Sequence, residues 1–78
     1  MSVQAEDLIT VAREVLDILG VVDYSELQLT YAVKAEGKWK VSFEYDSRSR
    51  SAVRKIGSFL VDAKSGDIEG MWLDRAWK

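Results

Sequence analysis

The sequence predicts an α+β domain in which one N-terminal helix packs on a four-stranded antiparallel meander sheet (α-β-β-β-β). Two changes of pattern support this fold class. Apolar residues recur every three or four positions over residues 3–19, which is the period of a helix, and every second position from residue 27 onward, which is the period of a strand. Turn residues containing glycine interrupt the second region twice, so we expect two hairpins.

The predicted helix spans residues 3–19. Ser2 is expected to cap its start, and Gly20 is expected to adopt a left-handed conformation just after its end. Because a lone amphipathic helix must bury its apolar face, we interpret that face as core. Its members are Leu8, Ile9, Ala12, Val15, Leu16 and Leu19.

The first hairpin is predicted to join strands 27–34 and 38–45 through a three-residue loop, Ala35 to Gly37. This register places the apolar residues of both strands on one face, whereas a slip of one residue would put Lys40 opposite Val33. It also puts Lys34 opposite Lys38, with Lys40 one pair along, where a carboxylate or phosphate could dock. The predicted pairs are Val33 with Trp39, Tyr31 with Val41, Leu29 with Phe43 and Leu27 with Tyr45.

The second hairpin, residues 53–63 and 67–74, has apolar residues on both faces. A four-residue loop would pair Phe59 with Trp72 and leave Leu60, Met71 and Leu73 on the face away from the helix. Either a bulge at residues 57–58 shifts the register, or a partner protein or a second copy of the chain covers that face. The candidate protein contacts are therefore Leu60, Met71, Leu73 and Trp77, with Trp77 either packed on the domain edge or exposed as an interface anchor.

Residues 46–51 lie between the hairpins, and serine and arginine alternate there after Asp46. Arginine offers a planar set of donors that fits phosphate and carboxylate groups, so this loop could bind an anion, RNA or an acidic protein surface. The alternative is a solvated connection. The candidate anion contacts are Arg48, Arg50, Arg54 and Lys55.

Charge and composition narrow the possible functions of the 78 residues, which we expect to form a single domain, 1–78. Residues 1–26 hold six acids and one base, net −5, and residues 27–78 hold ten bases and seven acids, net +3. The sheet is thus only mildly basic, and nucleic acid is an unlikely partner. Without cysteine or histidine the chain lacks thiolate ligands, the commonest metal ligand and the usual general base.

No catalytic motif appears in the sequence. It has no glycine-rich phosphate loop, no nucleophile elbow and no metal-ligand spacing, and its serines have no histidine to activate them. We therefore expect no enzyme activity, no cofactor and no metal. The N-terminus lacks the basic and apolar regions of a signal peptide and no stretch could span a bilayer, so we expect no membrane association and, if the chain is full length, a cytoplasmic location. An excised domain of an exported protein is the alternative.

Residues 59–68 end a strand with Val61, Asp62 and Ala63, turn through Lys-Ser-Gly-Asp and resume with Ile68. This stretch resembles the closing hairpin of PepSY-type domains, and the likeness covers about the last two-thirds of the chain plus a helix. The resemblance implies an inhibitory or regulatory binding module like those of protease propeptides and cell-envelope proteins.

A second resemblance rests on residues 37–41 (GKWKV) leading to Glu44, a closing strand ending in Asp74 and Arg75, and a helix that ends near Gly20. These features are similar to the small cytoplasmic gas-vesicle accessory proteins of the O type. Both resemblances imply a non-catalytic protein. The sequence thus predicts a small protein-interaction or regulatory module, with homodimerisation as one use of its surface.

Overall fold

A computed structural model of the chain describes residues 2–48 and 53–77, and it confirms the predicted α+β arrangement. The four strands form one antiparallel sheet in the order β1-β2-β3-β4, so each strand pairs with its neighbour in sequence. Among the described residues, no helix combines the length and apolarity needed to cross a membrane. The elements are a 3₁₀ turn (Ala5–Asp7), α1 (Leu8–Ile18), β1 (Tyr24–Ala35), β2 (Lys38–Ser47), β3 (Val53–Asp62) and β4 (Ile68–Leu73).

The helix begins later than predicted, because the preceding residues are tied to the sheet. The backbone N–H of Val3 donates to the carbonyl of Ala63 (2.6 Å), and the carbonyl of Val3 accepts a hydrogen bond from the indole of Trp39 (3.0 Å). Ser2 does not cap the helix. Instead, the backbone N–H of Gln4 donates to the carboxylate of Asp7 (2.8 Å), which closes the 3₁₀ turn ahead of α1.

The helix ends as predicted at a left-handed Gly20, with φ of 81°. The N–H of Gly20 donates to the carbonyl of Asp17 (3.1 Å), and the N–H of Val21 donates to the carbonyl of Leu16 (2.8 Å). These two bonds are the Schellman pattern, which satisfies helix carbonyls that would otherwise lack a partner.

The apolar stripe of α1 packs on one face of the sheet, which we call the inner face. Helix and strand residues share a single apolar cluster, so the interpretation of the stripe as core is confirmed. The residues of this cluster are less than 5% exposed. They are Leu8, Ala12, Val15 and Leu16 from α1, Val41, Phe43 and Tyr45 from β2, and Phe59 and Val61 from β3.

The loop and register of the first hairpin were predicted wrongly. The turn has two residues, Glu36 and Gly37, both with positive φ (55° and 76°), so Ala35 pairs with Lys38. Val33 consequently lies opposite Lys40, the pairing that a slip of one residue from the predicted register produces. An irregularity between Leu29 and Tyr31 restores the predicted Leu29–Phe43 pair, because a bulge adds one residue to one strand only.

This register also separates the lysines that were expected to face each other. Lys34 pairs with Trp39 and lies on the inner-face side, whereas Lys38 pairs with Ala35 and forms an ion pair with Glu69 on β4. The predicted cluster of facing lysines is therefore not formed.

The second hairpin is shifted by one residue from its predicted pairing. Phe59 pairs with Met71, and Gly57 pairs with Leu73, so Met71 and Leu73 point toward the inner face and pack against the core. The irregularity lies between Leu60 and Val61 and not at residues 57–58. The expectation that Met71 and Leu73 line the outer face was therefore wrong, because the shift exchanges the two faces of β4.

Candidate functional site

The outer face of the sheet, opposite α1, is partly covered by the chain itself. Residues 74–77 follow β4 and fold back over the sheet, with Trp77 above a cross-strand pair of serines, Ser42 on β2 and Ser58 on β3. Both serines are buried, at 1% and 3% exposure. Of the two explanations drawn from the sequence for apolar residues on both faces of the second hairpin, the register does shift, although between Leu60 and Val61 and not at residues 57–58. Residues 74–77 in addition cover part of the outer face.

Four contacts fix the position of Trp77. Its backbone N–H donates to Oγ of Ser42 (2.7 Å), and its indole Nε1–H donates to the carbonyl of Phe59 (3.0 Å). The ring meets the indole of Trp72 edge to face, with centroids 5.7 Å apart and planes at 90°. The ammonium of Lys40 lies 5.3 Å from the centroid of the Trp77 ring, within the range of a cation–π contact.

An open cavity of about 230 Å³ remains beside this segment. Ser58 and the two indoles of Trp72 and Trp77 line it, together with the exposed residues Arg75 and Ala76. The segment thus covers the serine pair without filling the space next to it. We call this region, formed by Lys40, Ser42, Ser58 and Trp72, the indole groove.

The four candidate protein contacts do not form one patch. Leu60 is on the outer face, half-buried between Lys40 and Gly70, its partners on the two neighbouring strands. Met71 and Leu73 are on the inner face, and Trp77 is packed on the sheet and not displayed.

The candidate anion contacts are also dispersed. Arg54 donates to Glu44 (2.6 Å), to Asp46 (3.0 Å) and to the carbonyl of Glu26 (3.1 Å), so its guanidinium is already engaged. The hydrogen bond from Arg54, followed by one from Gln28, holds the pKa of Glu44 below its usual value.

The other candidate anion contacts that the structure describes do not lie next to Arg54. Lys55 pairs with Tyr45 and so lies on the opposite side of β3, near the end of α1. Arg48 is exposed, with its backbone N–H donating to the carbonyl of Asp23 (3.1 Å), and Arg50 lies outside the described residues. The structure therefore gathers no basic cluster from the residues that it describes.

The titratable side chains in the described part of the chain offer neither a metal site nor a reactive group in the core. Within residues 2–48 and 53–77, no group of three or more acidic side chains is arranged to hold a metal ion. Burial, and to a smaller extent the charge of Asp74, raises the pKa of Tyr45 above its usual value. The buried phenol of Tyr45 is thus a neutral member of the core at physiological pH.

The free edge of β1 is a second candidate site, of which only Lys34 was predicted from the sequence as a docking residue, in a lysine cluster that does not form. β1 pairs with β2 on one side and, among the described residues, with no strand on the other. Residues 31–35 form a regular stretch between the irregularity at Leu29–Tyr31 and the turn. Lys34 is exposed there, and Val33 is 40% exposed. The predicted meander already implied this free edge, since the first strand of a meander is an edge strand.

Comparison of the chain with protein-family models, with curated proteins and with solved structures finds no match. The resemblances to PepSY-type domains and to gas-vesicle accessory proteins of the O type therefore stay hypotheses, and the function has to be argued from the geometry.

Proposed function

We propose that this chain is a non-catalytic protein-interaction module that binds an extended segment of a partner along the free edge of β1. The observation that supports this proposal is the regular stretch 31–35 of β1. The edge of this stretch that faces away from β2 has no strand beside it in the described part of the chain. An exposed strand edge offers a row of backbone donors and acceptors, and an added strand gains affinity from them with little dependence on sequence.

The backbone groups available to a partner follow from the turn. In a hairpin with a two-residue turn the flanking residues, here Ala35 and Lys38, form a hydrogen-bonded pair, and such pairs alternate along an antiparallel ladder. Val33 is then bonded to β2, whereas the N–H and C=O groups of Ala32 and Lys34 point away from it. A partner strand can therefore form hydrogen bonds with these two residues without disturbing the hairpin.

The side chains along this edge indicate the chemistry of the partner. Lys34 is exposed and forms no ion pair with another described residue, so a carboxylate opposite it would be attracted. Val33 presents an apolar side chain on the outer face. The segment that fits best is short and extended, with an acidic residue beside Lys34 and an apolar residue beside Val33.

The same edge is protected against unlimited pairing with further copies. Two irregularities, at Ser25–Gln28 and Leu29–Tyr31, interrupt β1, and bulges and edge lysines are devices that limit strand addition. They confine the usable edge to residues 31–35. This favours a short partner segment over a second copy of β1.

The proposal can be tested with peptides selected from a random library on the immobilised chain. We expect selected peptides to contain an acidic residue among apolar ones and to shift the amide resonances of Ala32 and Lys34 in NMR titrations. Lys34→Pro should abolish binding, because it removes an outward N–H while leaving the hairpin bonds in place. Lys34→Ala is the matched control, which keeps the backbone donor and should weaken binding only several-fold.

Peptide binding that is unchanged in a folded Lys34→Pro variant would exclude the β1 edge as the site. Two other results would redirect the proposal. A dimer in light scattering that Lys34→Pro dissociates would make a second copy the occupant. Binding of single-stranded RNA with a steep loss of affinity on adding salt would instead favour the anion-binding alternative.

A further inference from the structure

The indole groove recognises more than an apolar side chain. The carbonyl of Phe59 accepts the indole N–H of Trp77 at 3.0 Å, and Lys40 lies over the ring face. Phenylalanine has no N–H to offer that carbonyl, and the hydroxyl of tyrosine extends from a different point of the ring. Trp72 supplies an edge-to-face partner, an arrangement that aromatic rings favour. The groove is thus complementary to tryptophan in particular.

The groove also binds the backbone of Trp77. The N–H of Trp77 donates to Oγ of Ser42 at 2.7 Å, and Ser42 is 1% exposed beneath it. Because this bond involves the main chain, any segment that presents tryptophan in the same orientation can form it. The four contacts of Trp77 do not involve the side chains of residues 75 and 76, which are exposed.

The segment that fills the groove is held mainly at its two ends. At its start, Asp74 has a positive φ of 63°, a left-handed conformation that aspartate adopts more readily than most residues other than glycine, and its N–H donates to the carbonyl of Ile56 (2.9 Å). At its other end, Trp77 makes the contacts just described. Residues 74–76 are exposed, so local opening of this segment breaks mainly the contacts of Trp77.

We infer that the indole groove is a binding site for a tryptophan-bearing segment of a partner protein, and that residues 74–77 occupy it in cis as a built-in competitor. The occupant already seated there defines the ligand: an indole with an available backbone N–H. Only molecules in which Trp77 has left the groove can bind the partner. The apparent affinity is therefore the intrinsic affinity multiplied by the fraction of such molecules. This site is separate from the β1 edge and involves different residues.

The cavity beside Trp77 adds a prediction about the ligand. It is an open space of about 230 Å³, lined by Arg75 and Ala76 as well as by the two indoles and Ser58. A partner segment with a larger apolar residue directly before its tryptophan would fill part of this space. Such a segment should therefore bind more tightly than the chain's own sequence.

The test uses a capped synthetic peptide with the sequence of residues 73–77 (LDRAW) and the full chain carrying Trp77→Ala. We expect the peptide to bind this variant, with amide shifts at Ser42 and Ser58, and to bind the unsubstituted chain at least about tenfold more weakly because its own Trp77 competes. A peptide with phenylalanine for tryptophan should bind about threefold to tenfold more weakly, through the lost hydrogen bond. A peptide with leucine for the alanine should bind several-fold more tightly.

No shift at Ser42 and Ser58 in the folded variant, at millimolar peptide, would overturn the inference. If Trp77→Ala does not fold, the unsubstituted chain titrated with the leucine peptide gives the same decision, because excess peptide must displace Trp77 and move those two resonances. A dimer of the unsubstituted chain that Trp77→Ala abolishes would assign the groove to the same segment of a second copy and would overturn the assignment to a partner protein.

Discussion

Two glycines of this sheet have an aromatic ring where a side chain would otherwise stand. Phe43 lies across the inner face of Gly57, its cross-strand partner, and Trp72 lies over Gly70 on the outer face. A Cβ built on Gly57 would be 2.5 Å from Cζ of Phe43, far inside contact distance. Glycine is required at position 57 for space, since its φ is not in the left-handed region.

We predict that Gly57→Ala destabilises the fold by about 1–3 kcal/mol, the usual cost of overpacking a core. Phe43 is fully buried among helix and sheet residues, so its ring cannot move aside. Gly70→Ala is the matched comparison. Its Cβ would be 2.3 Å from Trp72, but this ring is half-buried on the outer face and not in the core, so we expect a smaller loss. Urea unfolding of both variants measures the difference, and an equal or larger loss for Gly70→Ala would contradict this account.

Individual elements show where sequence patterns suffice and where they fail. The end of α1 was predictable, because glycine after an amphipathic stretch is a strong signal. The start was not, because Val3 is held by Ala63 and Trp39, which are distant in sequence. The turn at Glu36 and Gly37 was also missed. A two-residue turn with both φ values positive favours asparagine or aspartate before glycine, and glutamate gave no such signal.

The turn between β3 and β4 depends on one carboxylate. The side chain of Asp62 accepts hydrogen bonds from the backbone N–H groups of Lys64 (2.8 Å) and Ser65 (2.9 Å). These bonds, the one from Ser65 being the stronger influence, hold the pKa of Asp62 below its ordinary value of 3.8. The charged form of Asp62 is therefore favoured in the folded chain.

We predict that Asp62→Asn lowers stability at pH 7 and that this difference shrinks as the pH falls below 3.8. A carboxyl whose pKa is lower in the folded state stabilises the fold above its unfolded-state pKa, and this contribution is lost as the pH falls through the folded-state value. Asp67→Asn removes the same charge from the same turn without touching the two hydrogen bonds. Thermal unfolding from pH 2 to 7 measures both, and a difference for Asp62→Asn that stays constant below pH 3.8 would exclude this role.

At the scale of the whole molecule, one core joins the helix to the sheet, while both candidate binding regions lie outside it. The core was predictable because burial imposes a periodic pattern on the sequence. The indole groove was not, because it depends on Trp77 meeting Ser42 and Phe59, 35 and 18 residues away. From the sequence, apolar residues on both faces of the second hairpin had two explanations, a shifted register or a cover on the outer face. The structure shows both, a shift between Leu60 and Val61 and Trp77 packed on the outer face.

This shared core makes unfolding of the chain a single event. The helix has 11 residues, too few to persist alone in water, and among the described residues outside the sheet it supplies the buried members of the core cluster, with Val3 and Val21 packed beside it. We predict that Leu16→Ala, at a fully buried site of α1, destabilises the fold by about 2–5 kcal/mol. Ile18→Ala, on the same helix but 59% exposed, should change stability by less than about 0.5 kcal/mol.

Two spectroscopic signals distinguish a core that helix and sheet need in common from a sheet that is stable without the helix. Circular dichroism at the helix band follows α1, and tryptophan fluorescence follows the sheet, because Trp39 lies on β2, Trp72 lies on β4 and Trp77 packs on the outer face. In Leu16→Ala both signals should shift together to lower urea, because neither layer can keep its apolar face buried without the other. A fluorescence transition that stays at the unsubstituted midpoint while the helix signal is lost would show that the sheet is stable by itself.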